Sequence, residues 1–488
     1  MLHSVRVSAM KSLAKNSIFN VLYNFVALIF PLITAGYIAR VLQPDGVGHV
    51  AYAQNFASYF VEFVVLGLPI YGVREISKAK SSSEESATFS ELVFINFVWA
   101  LVVSVCYLMV VFKSKSDVSL FLACGIPIFL NFLNVEWYYQ GKEEYVTITL
   151  RSITIKLLSL IAIFSFVKTR NDVVVYALIT SVASVGNYLF NIIHSRKFVS
   201  LSFRHIRPAR HLKPLFILAF VCLLSVIYGK IDISMLNYFT EDSSIGFYAN
   251  SQKIIEVVLS VCNSITATFL PRLCFYCKED RKKLAELLDT GFGIITFIAV
   301  PAAFGLYLVA PSLISVLFGN EFIPAVRVVR IFVPMIIIRS YGDLFCYRFL
   351  IAEGLERLRL YSNVMASVVN FVLNMLLIPK MAERGAAIAS VCAELTLTTF
   401  LLIYLFSKGK LSIDWKMPLL KANIASFVMF AVVYPIRFFK LSDFSLCTIS
   451  VVCGVLVYFC IGWFVLKNEI SESIWRRYRG VCCCAYWM

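Results

Sequence analysis

Between residues 17 and 466, apolar residues run in blocks of about twenty, separated by short polar or charged breaks. A helix rises 1.5 Å per residue, so a block of that length matches the ~30 Å hydrocarbon core of a bilayer. The pattern predicts helices at about 17–39, 47–72, 89–112, 118–139, 150–167, 173–193, 214–239, 246–271, 291–318, 325–350, 362–379, 386–406, 421–437 and 445–466. These make about fourteen spans and leave no stretch long enough for a folded soluble domain. The expected fold class is an all-α polytopic membrane protein.

Composition agrees with the pattern: of 488 residues 60% are hydrophobic and 15% charged, and the mean hydropathy is +0.80. The net charge of +16 reads mainly as topology. With the N-terminus inside, about 29 of the 45 Lys and Arg residues fall in cytoplasmic segments and about 9 outside, which places both termini in the cytoplasm. Cationic inner loops also meet anionic lipid headgroups, so nucleic acid is not an expected partner. The opening segment MLHSVRVSAMKSLAKN is weakly basic, and the apolar block after it is too long for a signal peptide, so the first helix is expected to be retained. The 14 cysteines, with a run at Cys482, Cys483 and Cys484, show no metal-ligand or disulfide spacing and read as small packing residues plus a reduced tail.

A basic segment, HSRKFVSLSFRHIRPARHLKP, follows the sixth span and reads as a linker between two lobes. A second observation supports that division. GVGHVAYAQ near the start of the second span resembles SIGFYANSQ near the start of the eighth, aligning Gly48, Ala51 and Gln54 with Gly246, Ala249 and Gln252 at one constant offset and on roughly one helix face. A weaker echo links GKEEY at Gly141 with GLERL at Gly354. The expected organisation is a six-helix lobe at 1–193, a cytoplasmic linker at 194–213, a second six-helix lobe at 214–406, two further helices within 407–466 and a cytoplasmic tail at 467–488. Parallel halves of this kind surround a central cavity in duplicated transporters.

Catalytic chemistry is not apparent. The five histidines, His3, His49, His194, His205 and His211, have neither metalloprotease spacing nor an evident acidic partner, and there is no phosphate-binding glycine loop after a strand. No metal, cofactor or catalytic residue is expected. What stands out is the set of ionisable groups inside spans: Glu62, Glu136, Lys156, Lys230, Asp232, Lys253, Glu256, Arg327, Arg330, Arg339, Asp343, Arg348 and Glu394. Each costs at least ~2.5 kcal/mol at a helix centre, so each should face a cavity or a partner. Arg327, Arg330 and Arg348 lie near span ends, where snorkelling explains them. Lys230, Asp232, Lys253 and Glu256 fall at similar depth on successive helices, either as an ion-pair network locking the hairpin or with a lysine left for an anionic substrate. Arg339 and Asp343, four apart, can pair on one helix face or serve the same purpose. Neutral polar residues accompany them, including Gln54, Asn55, Asn131, Asn134, Asn191, Gln252, Asn370 and Asn374, suited to interhelical hydrogen bonds or to sugar hydroxyls. Trp137, Tyr138 and Tyr139 read as an interfacial belt or a sugar-facing surface. In LGLPIYGVREISKAK, Pro69 and the glycines loosen a helix end, and Arg74 stands at the cytoplasmic mouth as a charged end or a phosphate contact.

The N-x-x-x-N of Asn16 and Asn20, the QPDGVG turn, the LGLPIYGVREI run and the K-x-D pair of Lys230 and Asp232 followed by IGFYA together resemble Wzx-type O-antigen flippases. These belong to the multidrug/oligosaccharidyl-lipid/polysaccharide exporter superfamily, and the likeness covers nearly the whole chain. The resemblance implies translocation of an undecaprenyl-diphosphate-linked oligosaccharide across the bacterial inner membrane by alternating access. On that reading Arg74, Lys230, Lys253 and Arg339 would contact diphosphate or glycan charge, and Gln54 and Gln252 would face sugars. Asp232, Glu256 and Asp343 would balance the cationic lining or couple a proton or sodium ion. Candidate partners are membrane lipids, an O-antigen polymerase and a chain-length regulator. Rival readings are a multidrug or cation antiporter of the same superfamily, a lipid II flippase, whose motifs are not seen, and a non-transporting member of a glycan assembly complex.

Overall fold

The computed structural model describes residues 2–113, 117–202, 207–411 and 413–462, with side chains described from residue 30 onward except those of residues 145, 221, 224, 225, 227, 228 and 356. The tail expected at 467–488, with Cys482 to Cys484, lies outside the described residues. The chain divides into two compact units, Met1–Gly246 and Phe247–Met488.

The first unit opens with α1 (Leu2–Val65), two helices in one run broken at Gln43, where φ is +62°. The break follows from sequence: Pro44 bars its predecessor from helical geometry, and the Gln43 amide caps the preceding turn by donating to the Arg40 carbonyl at 3.0 Å. The second run stops at Leu66 and Gly67, both with positive φ. Gly67 is required there, since a Cβ would lie 2.6 Å from Leu218 Cβ and 3.1 Å from the Ala219 nitrogen. The short α2 (Leu68–Lys78) restarts with Pro69 in its first turn. Then come α3 (Ser82–Lys113), α4 (Val118–Phe129, capped by Asp117), α5 (Glu136–Gly141), α6 (Tyr145–Phe166), α7 (Val173–Ser195) and α8 (Ala209–Phe239). The span expected at 118–139 is therefore not continuous: a 3-10 turn at Asn131–Leu133 separates α4 from α5.

The next helix, α9 (Asp242–Ala267), crosses from the first unit into the second. It is followed by α10 (Leu270–Glu279), α11 (Arg281–Phe318), α12 (Ala325–Tyr341), α13 (Phe349–Ala352), α14 (Glu356–Met381), α15 (Glu383–Ser407), α16 (Lys416–Val433) and α17 (Asp443–Cys460). A π-helical run, Gly342–Arg348, interrupts the span expected at 325–350, and the one expected at 246–271 breaks between α9 and α10. Among the described residues ten helical segments are long and apolar enough to cross a membrane.

The interior is apolar, as in a water-soluble protein, but the outer helix faces are apolar too, with polar groups buried behind them. On α14, Val364, Val368, Phe371, Val372, Met375 and Leu376 are exposed, while Asn370 and Asn374 are buried and joined by a 3.1 Å hydrogen bond. On α6, Leu150, Leu157, Leu158 and Ile161 are exposed and Arg151 is buried. Lipid offers the leucines a solvent and offers the polar groups none, so the polar faces turn inward.

The aligned glycines Gly48 and Gly246 meet. A Cβ on Gly48 would lie 1.6 Å from the Asp242 carbonyl oxygen, and one on Gly246 would lie 2.3 Å from the Pro44 oxygen. This is a backbone-to-backbone crossing of α1 and α9 that only glycine permits. In the second unit Glu353, with its side chain buried, receives both Arg281 from the start of α11 and Lys410 from beyond α15. Burial opposes its charge, yet the hydrogen bonds from Lys410 and Arg281 outweigh burial and hold its carboxyl below the ordinary 4.5.

Gly48→Ala should destabilise by more than the about 1–3 kcal/mol of ordinary overpacking, lowering the thermal midpoint in detergent, whereas Gly186→Ala, whose Cβ would find nothing closer than 3.8 Å, should not. For Glu353, the folded value lies below the unfolded one, so the tie is complete above the unfolded value and is lost as pH falls through the folded one. Thermal midpoints of wild type and Glu353→Gln should accordingly differ near neutrality and converge in acid.

Candidate functional site

In the first unit a polar strip runs where α1 faces α8. Asn55 donates to Ser234 Oγ at 3.0 Å and the Tyr59 hydroxyl lies 3.0 Å from the same oxygen. Asp232, two residues before Ser234 on α8, is buried, and its charge reaches Tyr59; Lys230 is partly buried on the same helix. Gln54, exposed, donates weakly to Thr180 Oγ1 at 3.4 Å. Of the residues expected as site groups, Arg74, Gln54, Lys230 and Asp232 belong to this unit, and Asn55, Tyr59 and Ser234 join the last three.

Arg74 stands on α2, exposed, with its Nε 3.1 Å from Glu75 and its guanidinium 5.0 Å from the Tyr71 ring centroid. Behind α2 lies a cluster missed in the sequence. Glu91, nearly fully buried, accepts from His211 Nε2 (2.8 Å), the Arg210 guanidinium (2.8 Å) and the Arg207 backbone N–H (2.8 Å), while His211 Nδ1 contacts the Tyr71 hydroxyl at 2.7 Å. His211 therefore does have an acidic partner, hidden because Glu91 stands 120 residues away in the chain. The segment before it is strapped to α3, with Ser200 and Ser202 N–H groups donating to Ser86 and Ser90 hydroxyls.

A second missed group joins three helices: Arg151 on α6, nearly inaccessible, bonds Glu136 at 3.0 Å and also Asn191 on α7. The expected interfacial belt is a buried core instead. The Tyr138 hydroxyl donates to Glu85 at 2.7 Å, that of Tyr139 donates to the Asn191 carbonyl at 3.0 Å, and Trp137 packs under Gly72, where a Cβ would lie 2.6 Å from the ring. Aromatics at a helix end normally sit in headgroups, but here the helix break folds them inward.

In the second unit Lys253 donates to Asn250 at 3.2 Å and Glu256 accepts from Gln252 at 3.2 Å, so both bond within α9. The expected pairing of Arg339 with Asp343 does not form. Asp343 accepts from Arg348 Nε at 3.2 Å and from the Thr266 hydroxyl, while Arg339 exerts its charge on Glu394 of α15. The π-helical run explains the exchange. Residues five apart turn about 140° away from each other on an α-helix, whereas the i→i+5 bonding of a π-turn returns them to one face. Arg348, expected to snorkel, is mostly buried in this pair and lies 4.9 Å from the Tyr347 ring. Among the described residues no group of three or more His, Cys, Asp and Glu side chains could hold a metal ion.

Charges kept inside helices whose outer faces are apolar mark a polytopic membrane protein, and comparison identifies its kind. The family model "Polysaccharide biosynthesis protein" matches residues 13–274, and "Lipid II flippase MurJ" matches residues 150–453. A protein named as an O-antigen transporter in Escherichia coli (strain K12) is 22% identical over 80% of this chain and 96% of its own length. Among solved structures, an inward closed lipid II flippase MurJ superposes with a TM-score of 0.77 at 16% identity, covering 94% of this chain and all of the other. An inward-facing multidrug resistance MATE transporter gives 0.63 at 13% identity over 80% of this chain and 97% of its own. The fold is thus that shared by these flippases and multidrug transporters. The chain belongs to the polysaccharide biosynthesis protein family, as a Wzx-type polysaccharide flippase of the multidrug/oligosaccharidyl-lipid/polysaccharide exporter superfamily.

Asp343→Asn should strand Arg348 and destabilise by about 3–5 kcal/mol, and Asp343→Leu with Arg348→Met should recover much of that loss in thermal unfolding.

Proposed function

We propose that the protein moves undecaprenyl-diphosphate-linked oligosaccharide units from the cytoplasmic to the outer leaflet of the bacterial inner membrane, by alternating access of two six-helix lobes, 1–193 and 214–406. Fourteen crossings with both termini in the cytoplasm accompany this reading. The observation that carries it is the K-x-D pair of α8: Lys230 and Asp232 lie in the apolar body of the helix, well beyond its basic first turns, and Asp232 is buried beside the Asn55, Tyr59 and Ser234 strip. The diphosphate needs cations, the sugars need amides and hydroxyls, and the polyprenyl tail stays in lipid. Lys230, Lys253, Arg74 and Arg339 supply the cations; Gln54 and Gln252 face sugars; Asp232, Glu256 and Asp343 balance the charge or couple a proton or sodium ion. A polymerase and a chain-length regulator would take up the product.

A second reading rests on the match of the lipid II flippase model over 150–453. Lipid II carries the same prenyl diphosphate, so the two readings differ in the head group that the diphosphate bears. Rescue of a strain depleted of its own lipid II flippase would favour the second.

The test uses a strain lacking this protein with its glycan pathway intact, complemented at equal membrane abundance. Without the protein the lipid-linked unit should accumulate on the cytoplasmic side. Lys230→Ala should restore surface polymer at least about tenfold less well than wild type, as loss of a charge-assisted contact requires. An unchanged leaflet distribution in the deletion strain would overturn the flippase reading, whereas full rescue by Lys230→Ala would remove only Lys230 from the path.

A further inference from the structure

We propose that the first unit holds a separate pocket for one neutral sugar ring of the glycan, built where two helix breaks face each other; the assignment of the ring to a glycan rests on the flippase reading. The breaks are the Leu66–Gly67 stop between α1 and α2 and the 130–135 interruption between α4 and α5. Backbone that leaves helical geometry at membrane depth is tolerated where it lines a cavity, and these breaks border one of about 260 Å³. That is roughly the volume of nine waters, enough for a single pyranose ring.

The lining has the composition a sugar requires. Asn131, Asn134, Glu136, Gln140 and Tyr188 present donors and acceptors, and Leu68, Pro69 and Trp137 form an apolar wall for the C–H face of a ring. Asn131 is 2% exposed, and its Nδ2 has no hydrogen-bond partner among the described residues. A buried amide donor without a partner is costly, and a ligand hydroxyl or acetamido oxygen in the cavity would satisfy it. Gln140 adds an amide that only weakly engages Glu136, at 3.4 Å.

Electrostatics selects the charge of the ligand. Glu136 borders the cavity with its side chain 30% exposed, so a phosphate placed there would meet a carboxylate. A cation is equally disfavoured, because the buried Arg151 guanidinium already neutralises Glu136 at 3.0 Å. A neutral polyol can donate to the remaining carboxylate lone pairs and accept from the amides without disturbing that pair. The diphosphate therefore binds elsewhere. Arg74 lies five residues beyond Pro69 on α2, about 7.5 Å along the axis, on the same short helix that walls the pocket.

The test is saturation-transfer NMR on the full chain in lipid nanodiscs, with free glucose, galactose, rhamnose, N-acetylglucosamine and N-acetylgalactosamine as probes. Transfer to at least one of them is expected, falling at least about tenfold in Asn131→Leu and clearly in the milder Tyr188→Phe, which keeps the ring and its packing. Phe371→Leu, on the exposed face of α14, should leave it unchanged. Absence of transfer to every probe, or equal transfer in wild type and Tyr188→Phe, overturns the pocket. The leaflet assay described above, run on the same wild-type protein, separates the two readings: relocation of the lipid-linked unit without sugar transfer to the pocket removes the pocket and keeps the flippase, while failed relocation removes the flippase itself.

Discussion

Lipid cannot solvate a hydrogen-bonding group, and nearly everything distinctive in this molecule follows from that constraint. Large apolar side chains stand exposed on the outer helix faces, and a guanidinium as buried as Arg151 is held by a carboxylate and an amide from two other helices. Within the hydrocarbon a charge is kept only where a partner or a cavity takes it, so each charge records a specific three-dimensional arrangement. The same constraint makes backbone irregularity informative. The breaks at Leu66–Gly67 and between α4 and α5 are placed where buried polar side chains or a cavity surround them.

Most of the helical framework was legible because apolar block length is set by the membrane rather than by tertiary detail. The turn at Gln43 was visible in QPDG, and the crossing at Gly48 and Gly246 was foreshadowed by their alignment. What stayed hidden involved changes of helical pitch and partners distant in the chain. Arg339 and Asp343 have ideal α-helical spacing, but Asp343 lies in a π-helical run that no residue type announces, and it turned to Arg348. Glu91 and His211 could not be joined from sequence, because nothing local marks a carboxylate for a histidine 120 positions later. Trp137, Tyr138 and Tyr139 misled because a terminal aromatic cluster looks alike whether it faces headgroups or a helix break.

The polar groups also separate by kind. Strongly paired ones, such as Glu353 with Arg281 and Lys410 or Glu91 with Arg210 and His211, hold segments together at helix ends. The strip of Asn55, Tyr59 and Ser234 beside Asp232 is made of hydroxyls and amides that can exchange partners at small energetic cost. A protein that passes a glycan needs both: fixed ties that keep the helices registered, and a wall whose hydrogen bonds reform with a moving ligand.

The π-helical run Gly342–Arg348 can be viewed as a residue-count device. A π-turn is what a helix becomes when it takes in one residue more than its α-helical repeat accommodates, with its two ends held in place. Chains of this architecture that lack that residue would keep α12 and α13 where they are and straighten the stretch between them. Asp343 and Arg348 would then part to different faces, and Thr266 would lose its carboxylate. In alignments, the length of this segment is therefore a better marker of the Asp343–Arg348 pair than the identity of either residue.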